Sequence, residues 1–218
     1  LVSINILSGV TSIGDSAFYG CKSLTSINIP SSVSNIDSYA FYGCSALTSI
    51  NIPSGVTSVS SNAFEGCSKL TNVIIPSGVT SIGCAAFREC SALTSIDIPT
   101  SVTTIGLQAF RGCNALTSAI IPSSVTSIGD SAFDECNGIT EVSIPPCVTR
   151  VYITFPNAYS KITKVALVGN WTSIGEYAFY DCRSMTSIDI PPSVTLISDS
   201  AFGNWNYNLV INTTLGSA

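Results

Sequence analysis

The stretch Leu24–Ala46, which reads LTSINIPSSVSNIDSYAFYGCSA, recurs at intervals of 23 residues along almost the whole chain. Its copies begin at Leu1, Leu47, Leu70, Leu93, Leu116, Ile139, Ile162 and Met185. The same interval separates the members of a cysteine column, which misses one unit before its last member: Cys21, Cys44, Cys67, Cys90, Cys113, Cys136 and Cys182. It also separates the members of a phenylalanine column, which misses the same unit: Phe18, Phe41, Phe64, Phe87, Phe110, Phe133, Phe179 and Phe202. A fixed period of this length predicts a stacked repeat protein, here one domain over 1–218 made of nine coils.

The first half of each unit has the pattern of a half-buried strand. Ile27 and Ile29 alternate with Ser26 and Asn28, which places the isoleucines inward and the polar residues outward. Pro30 has no N–H group to donate and ends the strand.

The second half of each unit contains further inward positions. Val33 and Ile36 predict a short second strand on another side of the coil. The position after Ile36 is glycine in several units, which favours a turn with positive φ: Gly14, Gly83, Gly106, Gly129 and Gly175. Ala40 and Phe41 then point inward, and the short spacing to Cys44 predicts one turn of 3₁₀ or α-helix.

The pattern L-x-x-I-x-I-P-x-x-V-x-x-I-G-x-x-A-F-x-x-C resembles the BspA-like, or Treponema pallidum type, leucine-rich repeat. The resemblance implies an α/β-type repeat solenoid, an arc with a parallel β-sheet on its concave side and short strands and 3₁₀ or α turns elsewhere. It also implies an extracellular or cell-surface protein, since such repeats are found at the surfaces of bacteria and protists, several of them in adhesins. It does not specify a ligand, because one fold supports many functions.

One coil, 139–161, keeps the length of the repeat but loses its Ala-Phe-x-x-Cys segment. Pro156 occupies the phenylalanine position, so the interior aromatic ring has to come from Phe155 or Tyr159. In the next coil, Val168 replaces the proline and Trp171 replaces the valine. These departures have two interpretations, a decayed repeat or a bend or docking site.

Both ends of the chain are atypical. Trp205 stands in the cysteine position and Asn208 in the leucine position, and 209–211 could form a last strand. We expect 203–218 to be the C-terminal end or cap, because terminal repeats usually cover the core. The chain begins on a repeat boundary without Met, which we interpret as a mature or trimmed fragment that more chain once preceded.

The composition argues against several functional classes. No apolar run is long enough to predict a membrane span, and the net charge of −5 argues against nucleic-acid binding. The chain has no histidine, which removes the commonest acid–base group and metal ligand. No serine can therefore be activated by histidine, and no pair of outward carboxylates forms, so we predict no catalytic, cofactor or metal residues and no enzyme activity.

The cysteine column and two sequons are further candidate sites. Neighbouring column members would lie close enough for disulfides by distance alone, but a small buried thiol is also a good core residue, and we expect free thiols. A zinc ion needs four ligands around one point, whereas the cysteines of this column are spread along a line, so we predict no zinc site. Asn170 and Asn212 begin N-x-T triplets and are possible glycosylation sites, although such triplets arise by chance in a chain rich in Ser and Thr.

The charged residues predict ion pairs rather than chemistry. Lys164 and Glu141 are expected to pair across neighbouring strands. On another side of the coils, four residues share one column and predict a charge-compensated row: Glu65, Arg88, Arg111 and Asp134.

The outward face of the first strands is the candidate binding face for a protein or glycan partner. Its central positions are small and polar, with two exposed isoleucines: Asn28, Asn51, Asn72, Ile74, Ser95, Asp97 and Ile120. The predicted function is a non-enzymatic protein-binding or adhesion module. Two alternatives stay open, a solvated face whose partner binds elsewhere and a structural spacer or assembly subunit that packs on copies of itself.

Overall fold

The chain forms a parallel β-solenoid of about nine turns in the computed structural model, which describes residues 2–205 and 208–213. Each turn contributes up to two short strands, because each repeat has two inward apolar segments separated by turns. The first strands of the turns are Ser3–Asn5, Ser26–Asn28, Ser49–Asn51, Asn72–Ile74, Ser118–Ile120, Glu141–Ile144, Lys164–Leu167, Ser187–Ile190 and Val210–Thr213.

The first strands pair in parallel with the repeat register, so Asn5 lies beside Asn28 and Asn51 beside Ile74. Five of them, from Ser118–Ile120 to Val210–Thr213, form one continuous sheet. The predicted strand at 95–97 does not form ladder hydrogen bonds, although its side chains keep the alternation. The burial pattern of a coil is therefore preserved even where its strand pairing is lost.

A second set of strands lies on another side of the coils, as predicted from Val33 and Ile36. Its members are two residues long: Ser12–Ile13, Asn35–Ile36, Ser58–Val59, Ser81–Ile82, Thr104–Ile105, Ser127–Ile128, Ser173–Ile174 and Leu196–Ile197. Four of them, from Ser58–Val59 to Ser127–Ile128, form one parallel sheet. In each of these four strands the first residue is polar and the second is apolar and packs toward the core.

The Ala-Phe segment forms hydrogen-bonded turns in the regular coils, not the helical turn that the spacing predicts. The reason is the backbone at two positions in each coil, since Tyr39 and Gly43 have φ of 57° and 67°. Residues in this left-handed region interrupt a helix, and here their N–H groups point toward the next coil of the stack. Tyr39 N donates to Ser61 O at 3.3 Å and Gly43 N to Glu65 O at 2.7 Å in the next coil.

The glycines after the second strand are not at positive φ, so that prediction is wrong. At Gly83, Gly106 and Gly129 a Cβ atom would lie 2.6, 2.5 and 2.3 Å from a backbone nitrogen of the preceding coil. Glycine is required there because two backbones approach closely. Positive φ occurs two residues later, at residues such as Tyr39.

The core is one continuous apolar cluster along the stack. Its largest members are the column phenylalanines, whose rings stack on those of the neighbouring coils. From Phe18 to Phe133 the centroids are separated by 5.2, 5.4, 5.4, 5.5 and 5.0 Å. This offset-stacked arrangement is favourable beyond simple burial.

The irregular coil contains the only helices of the described residues, the α-helix Val151–Thr154 and the 3₁₀-helix Tyr159–Lys161. Phe155 follows the α-helix, is fully buried, and stacks on Phe133 at 5.1 Å. Of the two residues expected to supply the interior ring, Phe155 therefore does so, and Tyr159 is half-buried. Trp171 is also buried and donates from Nε1 to Val168 O at 3.1 Å.

The C-terminal strand predicted over 209–211 forms as Val210–Thr213. It pairs in parallel with Ser187–Ile190 and places Asn212 beside Asp189. Residues 206–207 and 214–218 of the expected cap over 203–218 lie outside the described residues, as does Leu1, so the cap stays a prediction.

Candidate binding surfaces

The seven residues of the candidate binding face are all exposed in the described part of the chain. They are Asn28, Asn51, Asn72, Ile74, Ser95, Asp97 and Ile120. We call this set the sheet face. Ile74 and Ile120 are each 55% exposed, although isoleucine is among the residue types most often buried. The register places Ile74 beside Asn51 and Ile120 beside Ser143.

A shallow depression adjoins the sheet face where the first strands end. Its volume is about 360 Å³, and Asn51 and Ile74 line it together with Pro53 and Pro76. The prolines end their strands and leave an apolar edge beside the exposed isoleucine. The sheet face therefore combines an apolar centre with a concavity of modest size.

Amide side chains bridge neighbouring coils near the two ends of the outward column that contains Ile74. Asn28 Nδ2 donates to Asn5 Oδ1 at 3.1 Å, and Asn212 Nδ2 donates to Asp189 Oδ1 at 2.7 Å. These hydrogen bonds occupy groups that would otherwise be available to a partner. The central apolar positions, in contrast, have only solvent on their outer side.

The predicted ion pairs form. Lys164 Nζ lies 3.4 Å from Glu141 Oε2 on an exposed pair of strands, where such a pair contributes little. In the charged row, the nitrogen–oxygen distance is 3.7 Å for Arg88 and Glu65. Arg111 contacts Asp134 at 3.3 Å and also Glu135 at 2.6 Å, a partner that the column pattern did not predict. The opposite charges of the row therefore neutralise one another at the surface.

All nine cysteines are free, as expected from the sequence. In five coils the Sγ atom of the column cysteine donates to the carbonyl oxygen of the phenylalanine 26 residues earlier, at 3.1–3.2 Å. Burial raises the pKa of Cys44 to about 11 and those of Cys136 and Cys182 to about 12. Neutral thiols in this state are poor nucleophiles and poor metal ligands.

The two sequon asparagines are both exposed but differ in their contacts. Asn170 lies beside the buried Trp171 in a loop, whereas the Nδ2 group of Asn212 donates to Asp189. Thr214, the third residue of the second sequon, lies outside the described residues. Glycosylation of either asparagine stays a prediction.

A cleft lined by tyrosines was missed by the sequence analysis. It lies between the irregular coil and the next coil, and its volume is about 510 Å³. We call it the tyrosine cleft and define it by its lining residues: Tyr152, Pro156, Tyr159, Tyr177, Tyr180 and Asp181. The only sequence signal was the loss of the repeat pattern over 139–161, which did not indicate which residues would converge.

The repeats that build this fold match a known protein family. A family model for the BspA type leucine-rich repeat region, in six copies, matches residues 1–115 and 80–210. The chain belongs to this family. The fold and the family resemblance expected from the repeat pattern are thereby confirmed.

Solved structures of leucine-rich repeat proteins resemble this BspA-type protein. One from T. pallidum is 26% identical, with 84% of this chain and 78% of that chain covered and a TM-score of 0.64. One from Bacteroides ovatus is 26% identical, with coverage of 97% and 75% and a TM-score of 0.48. A leucine-rich cell surface protein from Faecalibacterium prausnitzii is 28% identical, with coverage of 100% and 80% and a TM-score of 0.42. No curated protein matches the sequence.

The described residues of this BspA-type chain contain neither a membrane-spanning helix nor a metal-binding cluster. None of its helices has the length and apolar character needed to cross a membrane. No group of three or more Cys, Asp or Glu side chains within 2–205 and 208–213 is arranged to hold a metal ion. The features that remain for recognition are the sheet face and the tyrosine cleft.

Proposed function

We propose that this chain is a non-enzymatic protein-binding module that acts in adhesion outside the cell. The family supports a role in protein interaction, because stacked repeats present long continuous surfaces to macromolecules. In this proposal the partner contacts the sheet face around Asn51, Ile74, Asp97 and Ile120. An extracellular or cell-surface location is part of the same proposal, and a surface-accessible epitope on intact cells of the source organism would test it.

The observation that carries the proposal is the exposure of two isoleucines in the middle of a polar face. Ile74 and Ile120 occupy the same outward column two coils apart, with the exposed Asp97 in the coil between them. Interfaces usually obtain most of their affinity from a few central residues that become desolvated and are surrounded by a polar rim. The sheet face has this arrangement, with apolar side chains at its centre and Asn, Ser and Asp around them.

The double variant Ile74→Asp/Ile120→Asp tests this face. Both side chains point outward, so the coil should fold normally, and binding to a panel of immobilised extracellular proteins should weaken about tenfold or more. Leu107→Asp is the matched control, because Leu107 is 50% exposed and lies on a turn away from the sheet face. Normal binding by a folded double variant would exclude the sheet face as the partner surface.

Self-assembly is the second candidate function, and near-identical repeats favour it because copies can pack on one another. Leu196, Ile197 and Val210 are exposed apolar residues of the C-terminal coils that such packing could cover. Light scattering over a range of concentrations separates the two functions. A constant monomer mass favours recognition of another protein, whereas a mass that grows with concentration favours assembly.

A further inference from the structure

The tyrosine cleft is independent of the proposed partner surface, since short helices and turns build it and first strands build the sheet face. It arises from missing hydrogen bonds between two coils. A regular pair of coils is joined at the turns by three backbone bonds, for example from Ser16 N, Phe18 N and Gly20 N to oxygens of the next coil at 3.0, 2.8 and 2.7 Å. Between the irregular coil and its successor, one bond replaces these three, from Val151 N to Ala178 O at 2.9 Å.

The missing bonds leave two backbone carbonyl oxygens without a donor in the described part of the chain, that of Tyr180, which lines the cleft, and that of Glu176, which precedes the lining residue Tyr177 in the chain. Glu176 and Tyr180 occupy the positions of Ser38 and Tyr42, whose carbonyl oxygens accept from Ser16 N and Gly20 N of the preceding coil. Among the described residues, nothing donates to the carbonyl oxygens of Glu176 and Tyr180. Pro156 occupies the position of Phe18 and has no N–H group, so the bond to Ala178 O comes from Val151 N instead. Both Glu176 and Tyr180 are exposed, so their carbonyl oxygens are open to a ligand that can donate a hydrogen bond.

Four tyrosine rings form the apolar walls of the cleft. Tyr152 and Tyr159 meet edge to face with centroids 6.5 Å apart, and Tyr177 and Tyr180 do so at 5.5 Å. Tyr180 is held close to Gly203, where a Cβ atom would lie 2.8 Å from the ring. The walls therefore present ring faces at fixed angles, with hydroxyl groups that can donate and accept.

The charge of the cleft is already compensated. The Asp181 carboxylate contacts Arg183 Nε at 2.5 Å and Asn204 Nδ2 at 2.6 Å, and it accepts from the Tyr159 hydroxyl at 3.4 Å. Arg150 Nη1 donates to the Tyr152 hydroxyl at 3.5 Å. Asp181 is the only charged residue among the six that line the cleft, and its carboxylate is already paired with Arg183. The ligand that fits is neutral.

We propose that the tyrosine cleft binds a neutral carbohydrate. A sugar ring has an apolar C–H face for the tyrosine rings and hydroxyl groups that donate to the carbonyl oxygens of Glu176 and Tyr180. Its oxygens also accept from the tyrosine hydroxyls. A polyproline-type peptide also suits aromatic grooves, but proline nitrogens cannot supply the donors that these carbonyls need. The volume of about 510 Å³ is within the usual range for small-ligand sites.

The test uses the whole chain, an array of short neutral oligosaccharides and saturation-transfer NMR with those that bind. The double variant Tyr177→Asn/Tyr180→Ser removes two ring faces, and asparagine tolerates the positive φ of 60° at residue 177. We expect binding to fall at least tenfold. Tyr177→Phe/Tyr180→Phe keeps the rings and removes only hydroxyls, so it should fold and lose less affinity.

The repeat supplies a matched control, because Tyr39 and Tyr42 occupy the same coil positions as Tyr177 and Tyr180. There the coils are joined by regular bonds, and the Tyr42 ring is stacked on Tyr19 at 4.7 Å. Tyr39→Asn/Tyr42→Ser should therefore leave carbohydrate binding unchanged. The proposal is overturned if no neutral oligosaccharide binds, or if Tyr39→Asn/Tyr42→Ser lowers binding as much as Tyr177→Asn/Tyr180→Ser does. It is also overturned if extended peptides bind the cleft and saccharides do not.

Discussion

At the scale of single residues, the phenylalanine column is the main source of core packing. Phe87 is fully buried and stacks on both Phe64 and Phe110. Phe87→Ala should lower the free energy of unfolding by about 3–5 kcal/mol, because it removes a ring and leaves a cavity between two others. Urea unfolding measures the change, with the exposed Leu107→Ala as control. An unchanged midpoint for Phe87→Ala would mean that the ring does not support the stack.

Close backbone approach, and not positive φ, explains the glycines after the second strands. In Gly106→Ala the new methyl group would lie 2.5 Å from Cys84 N, so the coils must separate locally. We expect a loss of about 1–3 kcal/mol in unfolding free energy. Gly14→Ala is the matched control, since nothing lies within 4 Å of its Cβ position, and it should change stability by less than about 1 kcal/mol. Equal effects at both positions would contradict this account.

The buried thiols should make the fold sensitive to alkaline pH. In the unfolded chain a cysteine ionises near a pKa of roughly 8.5, whereas burial raises the pKa of folded Cys136 and Cys182 to about 12. Above that unfolded value the folded state holds more protons, so stability should fall as pH rises from about 8.5 toward 12.

Urea midpoints at neutral and alkaline pH measure this fall. Burial also raises the pKa of Cys67, Cys90 and Cys113. The variant Cys67→Val/Cys90→Val/Cys113→Val should therefore lose part of the pH dependence, because three of the shifted thiols are gone. Thiol counting gives an independent check. The native protein should react slowly with an alkylating reagent, and the denatured protein should expose most of its nine thiols without reductant. Few free thiols after denaturation would indicate disulfides instead.

At the scale of elements, the strands could be predicted from the sequence and the turns could not. Alternation of Ile27 and Ile29 with polar residues specifies which side chains are buried, and burial determines the strand register. The Ala-Phe turn depends on positive φ at residues such as Tyr39 and Ser131, which do not carry the glycine that would indicate it. The spacing from Ala40 to Cys44 fits one turn of a helix, but the backbone forms hydrogen-bonded turns there instead.

The irregular coil shows the same limit for the candidate sites. Its broken pattern located a departure at 139–161, and the displaced proline restricted the interior ring to Phe155 or Tyr159. The tyrosine cleft was not predictable, because it depends on hydrogen bonds that are lost between two coils. Tyr177 and Tyr180 occupy ordinary repeat positions, and only the lost contacts with the preceding coil separate them from their equivalents Tyr39 and Tyr42. The sheet face, in contrast, followed from alternation alone.

At the scale of the whole molecule, stability should be a sum over coils and the interfaces between them. The interface after the irregular coil differs from the others on two sides. At the turns it has one backbone bond in place of three, and no stacked pair of described residues joins Phe155 to Phe179. The first strands remain paired there, from Glu141–Ile144 to Lys164–Leu167. At the turns and in the aromatic stack, this interface is therefore more weakly connected than those between the regular coils, and we expect it to open first.

The weak interface predicts where the molecule opens first. In native-state hydrogen exchange, amides of the coils over 164–205 should exchange together at a lower opening free energy than those over 35–133, with a step at 139–161. Mass spectrometry of proteolytic peptides measures this profile. Ordinary fraying provides the internal comparison, because it would give a gradual and similar decline toward both ends. Gly106→Ala should add a second step near the middle of the chain, whereas uniform protection across 139–161 would show that the irregular coil transmits stacking as well as a regular one.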